Sequence, residues 1–408
     1  MIGILGQGKT ALSVYAYLEK NKKDIEVWSQ ELIPVRDHES TLLAWIDRCD
    51  QIIISPGVCP HKEPYGHLPA WMIYTDIDIF FQKVCTHNII VVTGTNGKTS
   101  LVEMMVGIIQ AHGLKAWGCG NNEVPVLDVL DKIEKDDWVV LELSSFQLYW
   151  LHDIPCLKAA VVTSFAQDHL NWHKNMQEYR QSKAKILEKS SIVFVPDGFV
   201  HKPGVQYWDQ SFQHEGLKEH LMFAGRIYSK VADSLKNSPL LYPLHQAFEL
   251  AMSLGFNQNI ILDYLSQWHP SEHRFEHYFL EGIHWINDTK ATNLEAAYAA
   301  LKSLGVEKKK IYMILGGEAK GQNLKEVESF YDHADRFFLI GKAAQEFATF
   351  LKDKATLVGT LEGFFNILPS IQKPDLVLFA PACASLDQFK NYKDRGECFS
   401  RLLHLYKG

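Results

Sequence analysis

Thr93-Gly94-Thr95-Asn96-Gly97-Lys98-Thr99-Ser100 follows the apolar run Ile89-Ile90-Val91-Val92 and leads directly into Leu101-Val102-Glu103-Met104-Met105. A β-branched run, a glycine turn and an apolar helix-like stretch are the strand, loop and helix of a phosphate-binding loop. Backbone N–H groups in such a loop cradle phosphate oxygens, the lysine reaches the β- and γ-phosphates, and the hydroxyl after it can coordinate Mg²⁺. Lys98 and Thr99 stand at those two positions, and the pattern G-x-x-x-x-G-K-[ST] is missed only at its first place, where Val92 stands. A turn without a ligand is the weaker reading, because both flanking elements and both polar groups are in place.

The alternation that frames this loop extends in both directions. Ile52-Ile53-Ile54, Val139-Val140-Leu141 and Ala160-Val161-Val162 are short strand-like runs between longer helix-like stretches, as are Ile311-Tyr312-Met313-Ile314-Leu315, Phe337-Phe338-Leu339-Ile340 and Leu376-Val377-Leu378-Phe379. The expected class is α/β with parallel sheets. A chain of 408 residues exceeds what one core usually serves. Fresh strands begin near Asn88 and after the polar segment His269-Pro270-Ser271-Glu272-His273-Arg274, which predicts three domains over 1–86, 87–270 and 271–408.

Composition narrows the class further. The formal charge of -7 lacks the basic excess of a nucleic-acid binder. The seven cysteines are scattered without a C-x-x-C pair, as expected in a reducing compartment. Residue 2 already begins a strand-like run and no apolar stretch approaches membrane-spanning length, so a cytoplasmic location without membrane insertion is expected.

Other segments offer chemistry. Gly6-Gln7-Gly8-Lys9-Thr10-Ala11 is a G-x-G-x-x-A turn that either admits a diphosphate at a helix N-terminus or serves close packing, and the residues leave both open. The following strand, Ile25-Glu26-Val27, ends in Trp28-Ser29 and not in the acidic residue that a nicotinamide dinucleotide favours. Ser55-Pro56-Gly57 adds a turn at the same sheet edge. In Glu142-Leu143-Ser144-Ser145-Phe146-Gln147 the carboxylate closes a strand, where it could hold the Mg²⁺ of a nucleotide or cap the next helix. Asp168-His169 and Lys183 read singly as structural. The third region supplies His273-Arg274-Phe275-Glu276, Asn287-Asp288-Thr289-Lys290-Ala291-Thr292-Asn293, Gly316-Gly317-Glu318-Ala319-Lys320-Gly321 and Pro381-Ala382-Cys383-Ala384-Ser385-Leu386-Asp387-Gln388-Phe389. Cys383 is disfavoured as a nucleophile because no histidine lies close in sequence.

Taken in order, these segments resemble the Mur ligases of bacterial cell-wall synthesis, most closely the branch that adds D-glutamate. The specific pieces are Gly94 to Thr99, Glu142 to Leu148, Asn287 to Asn293 and Pro381 to Glu397, with no D-N-P-R sequence of the diaminopimelate- or lysine-adding branches. The resemblance implies a Rossmann-like N-terminal domain for the UDP precursor, a P-loop-type mononucleotide-binding central domain and a mobile, Rossmann-like C-terminal domain. It implies a monomeric, ATP-dependent ligase that joins D-glutamate to UDP-N-acetylmuramoyl-L-alanine through an acyl phosphate. ATP would fall to Gly94, Thr95, Asn96, Gly97, Lys98, Thr99 and Ser100, with Arg274, Asp288 and Lys290 from across the cleft. The precursor would fall to Gly8, Lys9, Thr10, Ser29, Ser55, Gly57, Asn121 and Ser144, and D-glutamate to Thr292, Lys320, Ser385 and Tyr392. Of two expected Mg²⁺ ions, Thr99 and Glu142 would hold one, and His169 with a carbamate of Lys183 the other. Lys98, His169 and Lys183 would be the catalytic residues.

The chain departs from the family where H-N-x-x-N is usual and His245-Gln246-Ala247-Phe248-Glu249 stands, which alters the expected adenine contact. Tyr392 replaces a common phenylalanine, and the uracil loop near Ser29 and Gln30 aligns poorly. The rivals are a sibling ligase, a folylpolyglutamate synthase, a nucleotide-dependent switch that needs no acceptor amine, and a dinucleotide oxidoreductase.

Overall fold

The computed structural model describes residues 1–6, 8–28, 38–122, 124–208, 220–223, 226–230, 238–305 and 309–406. The chain divides into two compact units, Met1–Phe165 with Trp172–Lys230 and Pro243–Trp268, and Ala166–Asn171 with Val231–Tyr242 and His269–Gly408.

The first unit holds two parallel sheets. One contains β1 (Ile2–Leu5), β2 (Ile25–Trp28), β3 (Gln51–Ile54) and β4 (Ile73–Tyr74) in the order β2-β1-β3-β4. The other contains β5 (Asn88–Thr93), β6 (Ala116–Gly120), β7 (Trp138–Glu142), β8 (Leu157–Val162), β9 (Ser190–Val195) and β10 (Gln206–Tyr207) in the order β10-β9-β8-β5-β7-β6. A separate antiparallel pair is formed by β11 (His220–Phe223) and β12 (Arg226–Lys230). The β-branched runs read from the sequence become central strands because parallel strands are covered on both faces; Ile89, Ile90, Val91 and Val92 are all buried. Ile4, Ile53 and Ile77 share one continuous apolar core with Val91, Val139 and Leu141.

The chain leaves β5 for the edge strand β6, returns to β7 beside β5, and crosses to β8 on the opposite side of β5. The carboxyl end of β5 is therefore a topological switch point, the crevice where open α/β sheets take ligands. The phosphate loop sits there because it is the connection that leaves β5. Its helix, Lys98–Ala111, buries Leu101, Val102, Met104, Met105, Ile108 and Ile109.

The second unit is built on β13 (Glu276–Leu280), β14 (Ile283–Asn287), β15 (Ile311–Gly316), β16 (Arg336–Ile340), β17 (Ala355–Gly359) and β18 (Leu376–Phe379), in the order β13-β14-β18-β15-β16-β17. All pairings are parallel except β13 with β14. The antiparallel edge strand β13 is not apparent in the sequence, because Glu276-His277-Tyr278-Phe279-Leu280 has no run of β-branched residues. Trp285 stacks on Phe365 at 5.6 Å within a core that includes Tyr312, Phe338, Phe364 and Phe399. Burial of each such side chain contributes about 1.5–3 kcal/mol. The last strand, β18, inserts between β14 and β15. That insertion makes neighbours of three loops far apart in sequence, those leaving β14, β15 and β18.

Candidate active site

The phosphate loop is shaped by two glycines. Gly94 has φ +146°, and a Cβ there would lie 2.0 Å from Thr163 Oγ1, so no other residue fits. Gly97, with φ +83°, is the N-cap of Lys98–Ala111. Asn96 N donates to Ser164 Oγ at 2.9 Å, which ties the loop to the end of β8. Lys98 Nζ donates to Gly94 O and Thr95 O, each at 2.9 Å. Lys183 Nζ, on the helix Met176–Ala184, donates to the same Gly94 O at 2.8 Å and to Thr93 Oγ1 at 3.4 Å. Two lysine Nζ atoms thus converge on one carbonyl oxygen of the loop. Lys183 is 1 % exposed and lies 4.6 Å from the Tyr179 ring centroid. Tyr179 OH is 3.1 Å from Thr95 Oγ1. Thr99 and Ser100 occupy the first turn of Lys98–Ala111.

Glu142 ends β7 in register with Val92 of β5, beside the phosphate loop. It is 1 % exposed. Its Oε1 accepts from Asn121 Nδ2 at 2.9 Å, and its buried Oε2 has no hydrogen-bond partner among the described residues. The helix that follows is capped by Ser144, whose Oγ accepts from Gln147 N at 3.2 Å. Glu142 therefore is not that cap. A buried carboxylate oxygen without a donor is costly unless a cation or donor completes it. With the Thr99 hydroxyl at the loop, Glu142 fits a hard cation that takes oxygen ligands.

The edge of the first sheet gathers most of the residues expected for the precursor. Gly8, with φ +98°, is the N-cap of the helix Lys9–Lys20, so Lys9 and Thr10 begin its first turn. Ser55 is buried at the end of β3, and its Oγ has no partner among the described residues. Gly57 follows on the exposed side of that turn. Ser29 and Gln30 lie outside the described residues. At the altered family position, Gln246 is buried and its Nε2 donates to Thr163 O at 2.7 Å, and Glu249 is buried as well. Gln246 thus holds Thr163, the residue after β8 that packs against Gly94.

In the second unit, Asp288, Lys290 and Thr292 leave β14, Lys320 leaves β15 and Ser385 leaves β18. Burial pushes the Asp288 carboxyl up to about 6, opposed by the Arg274 guanidinium, a hydrogen bond from Phe275 N and the Lys290 charge. Lys290 Nζ lies 5.1 Å from the ring centroid of Tyr392. Tyr392 begins the helix Tyr392–Leu405 and its carbonyl accepts from Thr289 Oγ1 at 3.3 Å. Glu318 and Ala384 exchange backbone hydrogen bonds of 2.9 and 3.0 Å, which joins the Lys320 and Ser385 loops. His169, with φ +59°, belongs to this unit, where its backbone N donates to Asp168 Oδ1 at 2.8 Å and Asn293 Nδ2 donates to Asp168 Oδ2 at 3.3 Å. Lys183 belongs to the first unit.

Cys383 is buried, and burial pushes its thiol up to about 12, which removes it as a nucleophile. Two supports had no local signal. Tyr179 is one. The other is Arg395, 1 % exposed, which donates through Nε to Thr289 Oγ1 (2.8 Å), Nη2 to Thr289 O (2.8 Å) and Nη1 to Cys383 O (3.0 Å). A fully buried arginine could be suspected only from its distant partners.

A parallel sheet ending in this loop, followed by a second doubly wound sheet with polar loops at its carboxyl edge, defines an α/β protein of the phosphate-binding-loop class. Two family profiles match it, the Mur ligase middle domain over 92–218 and the Mur ligase glutamate ligase domain over 273–383. A UDP-N-acetylmuramoylalanine–D-glutamate ligase of Mannheimia succiniciproducens is 30% identical, covering 99% of this chain and 97% of that protein. The enzyme of the same description from Pasteurella multocida is 30% identical over 99% of this chain and 98% of its own. The chain belongs to the Mur ligase family. Among solved structures, the UDP-N-acetylmuramate-alanine ligase of Thermotoga maritima superposes with a TM-score of 0.60 at 16% identity, covering 100% of this chain and 99% of that one. The bifunctional folylpolyglutamate synthase/dihydrofolate synthase of Yersinia pestis gives 0.60 at 15% identity, covering 89% and 98%. Both share the fold.

Proposed function

We propose that this Mur ligase is the ATP-dependent enzyme that adds D-glutamate to UDP-N-acetylmuramoyl-L-alanine in peptidoglycan precursor synthesis, acting in the cytoplasm as a monomer. The observation that carries the chemistry is the phosphate loop on which Lys98 and Lys183 converge, beside the unmet carboxylate oxygen of Glu142. The named D-glutamate ligases, similar over nearly their whole length, support the choice of acceptor. Among the described residues no helix is long and apolar enough to cross a membrane.

In this reading residues 1–86 bind the precursor through Gly8, Lys9, Thr10, Ser29, Ser55 and Gly57, with Asn121 and Ser144 nearer its reacting end. Residues 87–270 bind ATP through Gly94, Thr95, Asn96, Gly97, Lys98, Thr99 and Ser100. Residues 271–408 contribute Arg274, Asp288 and Lys290 to the nucleotide, and Thr292, Lys320, Ser385 and Tyr392 to D-glutamate. A carboxylate is a poor acyl donor because its leaving group would be oxide. The alanine carboxylate of the precursor therefore attacks the γ-phosphorus and ADP departs. Lys98 steadies the charge on the transferring oxygens. The amine of D-glutamate then attacks the acyl carbon, and phosphate leaves as the amide forms. Mg²⁺ held by Thr99 and Glu142, and a second ion held by His169 and Lys183, would neutralise phosphate charge.

Lys183 is read as a carbamate. As an ammonium it repels Lys98 across Gly94 O; as a carbamate it keeps one N–H for that carbonyl and gains two oxygens suited to Mg²⁺. The acceptor is tested by ATP-dependent phosphate release with the muramoyl precursor and a panel of amino acids. D-glutamate is expected to support release and D-alanine to fail, for want of the second carboxylate that Lys320 and Ser385 would bind. A preference for L-glutamate would move the reading to a folate-type ligase, and release without any amine to a switch.

A further inference from the structure

The loops leaving β14, β15 and β18 meet on one side chain outside the proposed ligand set. Gln322 is 9% exposed. Its Oε1 accepts from Leu294 N at 2.8 Å, at the start of the helix Leu294–Ser303 and two residues after Thr292. Its Nε2 donates to Ala319 O at 3.0 Å, immediately before Lys320. The same Nε2 donates to Ala382 O at 3.2 Å, three residues before Ser385. One carboxamide therefore uses both its donors and its acceptor on the three loops that carry Thr292, Lys320 and Ser385.

Two of those loops need such an anchor. Lys320 has φ +51° and Ala382 has φ +61°, left-handed backbone that residues other than glycine adopt at an energetic cost. Ala319 O and Ala382 O, both held by Gln322, are at or beside these two residues. Backbone hydrogen bonds join the same loops in pairs, Gly316 N to Pro381 O at 2.8 Å and Ala382 N to Ala291 O at 2.9 Å, and the Gln322 side chain bonds to all three.

We infer that Gln322 is a positioning residue for the acceptor amino acid. It sets the spacing of Thr292, Lys320 and Ser385, and thereby selects a substrate whose two carboxylates match that spacing. The inference rests on the D-glutamate reading of these loops. Glutamine suits the task because its amide offers two donors and an acceptor without charge; a carboxylate in its place would face two carbonyl oxygens and lie near the substrate's own carboxylates.

The test uses the full-length chain with Gln322→Met, which keeps length without hydrogen bonds, and Gln322→Glu. Gln322→Met is expected to raise KM for D-glutamate about tenfold, the change that loss of buried hydrogen bonds produces, with KM for ATP changed less than about twofold. Gln322→Glu is expected to show a raised KM that recovers, relative to the wild type at each pH, as pH falls, because only the protonated carboxyl can donate. Without any ligand, hydrogen exchange of the Leu294 amide is expected to quicken about tenfold in Gln322→Met, since its acceptor is gone. Unchanged exchange at Leu294 overturns the anchoring role. Parallel rises in both KM values show general damage and overturn the acceptor role. If the wild type releases no phosphate with D-glutamate while Leu294 exchange quickens in the variant, the acceptor assignment fails and the anchor stands.

Discussion

Replacing Asp288 by asparagine should make the protein more stable at alkaline pH while impairing its use of ATP. Asp288 is 8 % exposed, and burial raises its carboxyl from 3.8 to about 6 despite the opposing Arg274 and Lys290 charges. The folded protein therefore holds this proton more tightly than the unfolded chain. Its contribution to stability is complete below about pH 4 and is lost as pH rises through about 6. A rise of about two pH units corresponds to about 3 kcal/mol, so ionised Asp288 weakens the folded state by about that much at pH 8. Asp288→Asn is isosteric and can still accept from Phe275 N. It should raise the unfolding free energy by about 3 kcal/mol at pH 8 and by only about 1 kcal/mol at pH 4.5. Urea titrations at both values, with hydrogen exchange of β14 and β18 peptides to isolate the second unit, measure this directly. The same variant should raise KM for ATP, because the missing charge is the one proposed to engage the nucleotide. A gain equal at both pH values, or a loss at pH 8, would refute the argument that burial of this carboxylate dominates its energetics.

Lys98→Ala should lower turnover by at least about 10²-fold, because a fixed cation at the transferring phosphoryl is lost. Its circular dichroism should match the wild type, and near-normal phosphate release would remove Lys98 from the site. Lys183→Ala should be similarly impaired and partly restored by small carboxylic acids in the buffer, which supply the oxygens of the missing carbamate. Lys183→Arg should stay inactive; sustained turnover with arginine would show that a plain cation suffices there.

Local sequence specifies local structure where one physical rule dominates. Buried parallel strands must be apolar, so Ile89 to Val92, Ile311 to Leu315 and Leu376 to Phe379 announced themselves. Lys183 lies on the helix Met176–Ala184, which continues into a 3₁₀ turn at Lys185–Leu187. The start of that helix is set by Asn175, whose side chain accepts from Glu178 N, a cap easily passed over in a polar stretch. Glu142 is ambiguous in the sequence because a carboxylate at a strand end can cap a helix or bind a metal. Ser144 takes the cap, leaving the Glu142 oxygen unmet.

The sequence by itself determined the strand order's raw material and the phosphate loop, since periodicity and a glycine turn are properties of adjacent residues. Only the tertiary structure decided which distant groups share an atom. Lys98 and Lys183 converge on Gly94 O because the helix Met176–Ala184 brings the Lys183 side chain to the carboxyl end of β5. The loops that carry Thr292, Lys320 and Ser385 become neighbours because β18 inserts between β14 and β15, and Gln322 can hold them only after that insertion has been made. The Gln322 contacts with Leu294 and Ala382 span 28 and 60 positions and the Lys183 contact with Gly94 spans 89, and hydrogen bonding across such separations leaves no period or spacing in the chain to read.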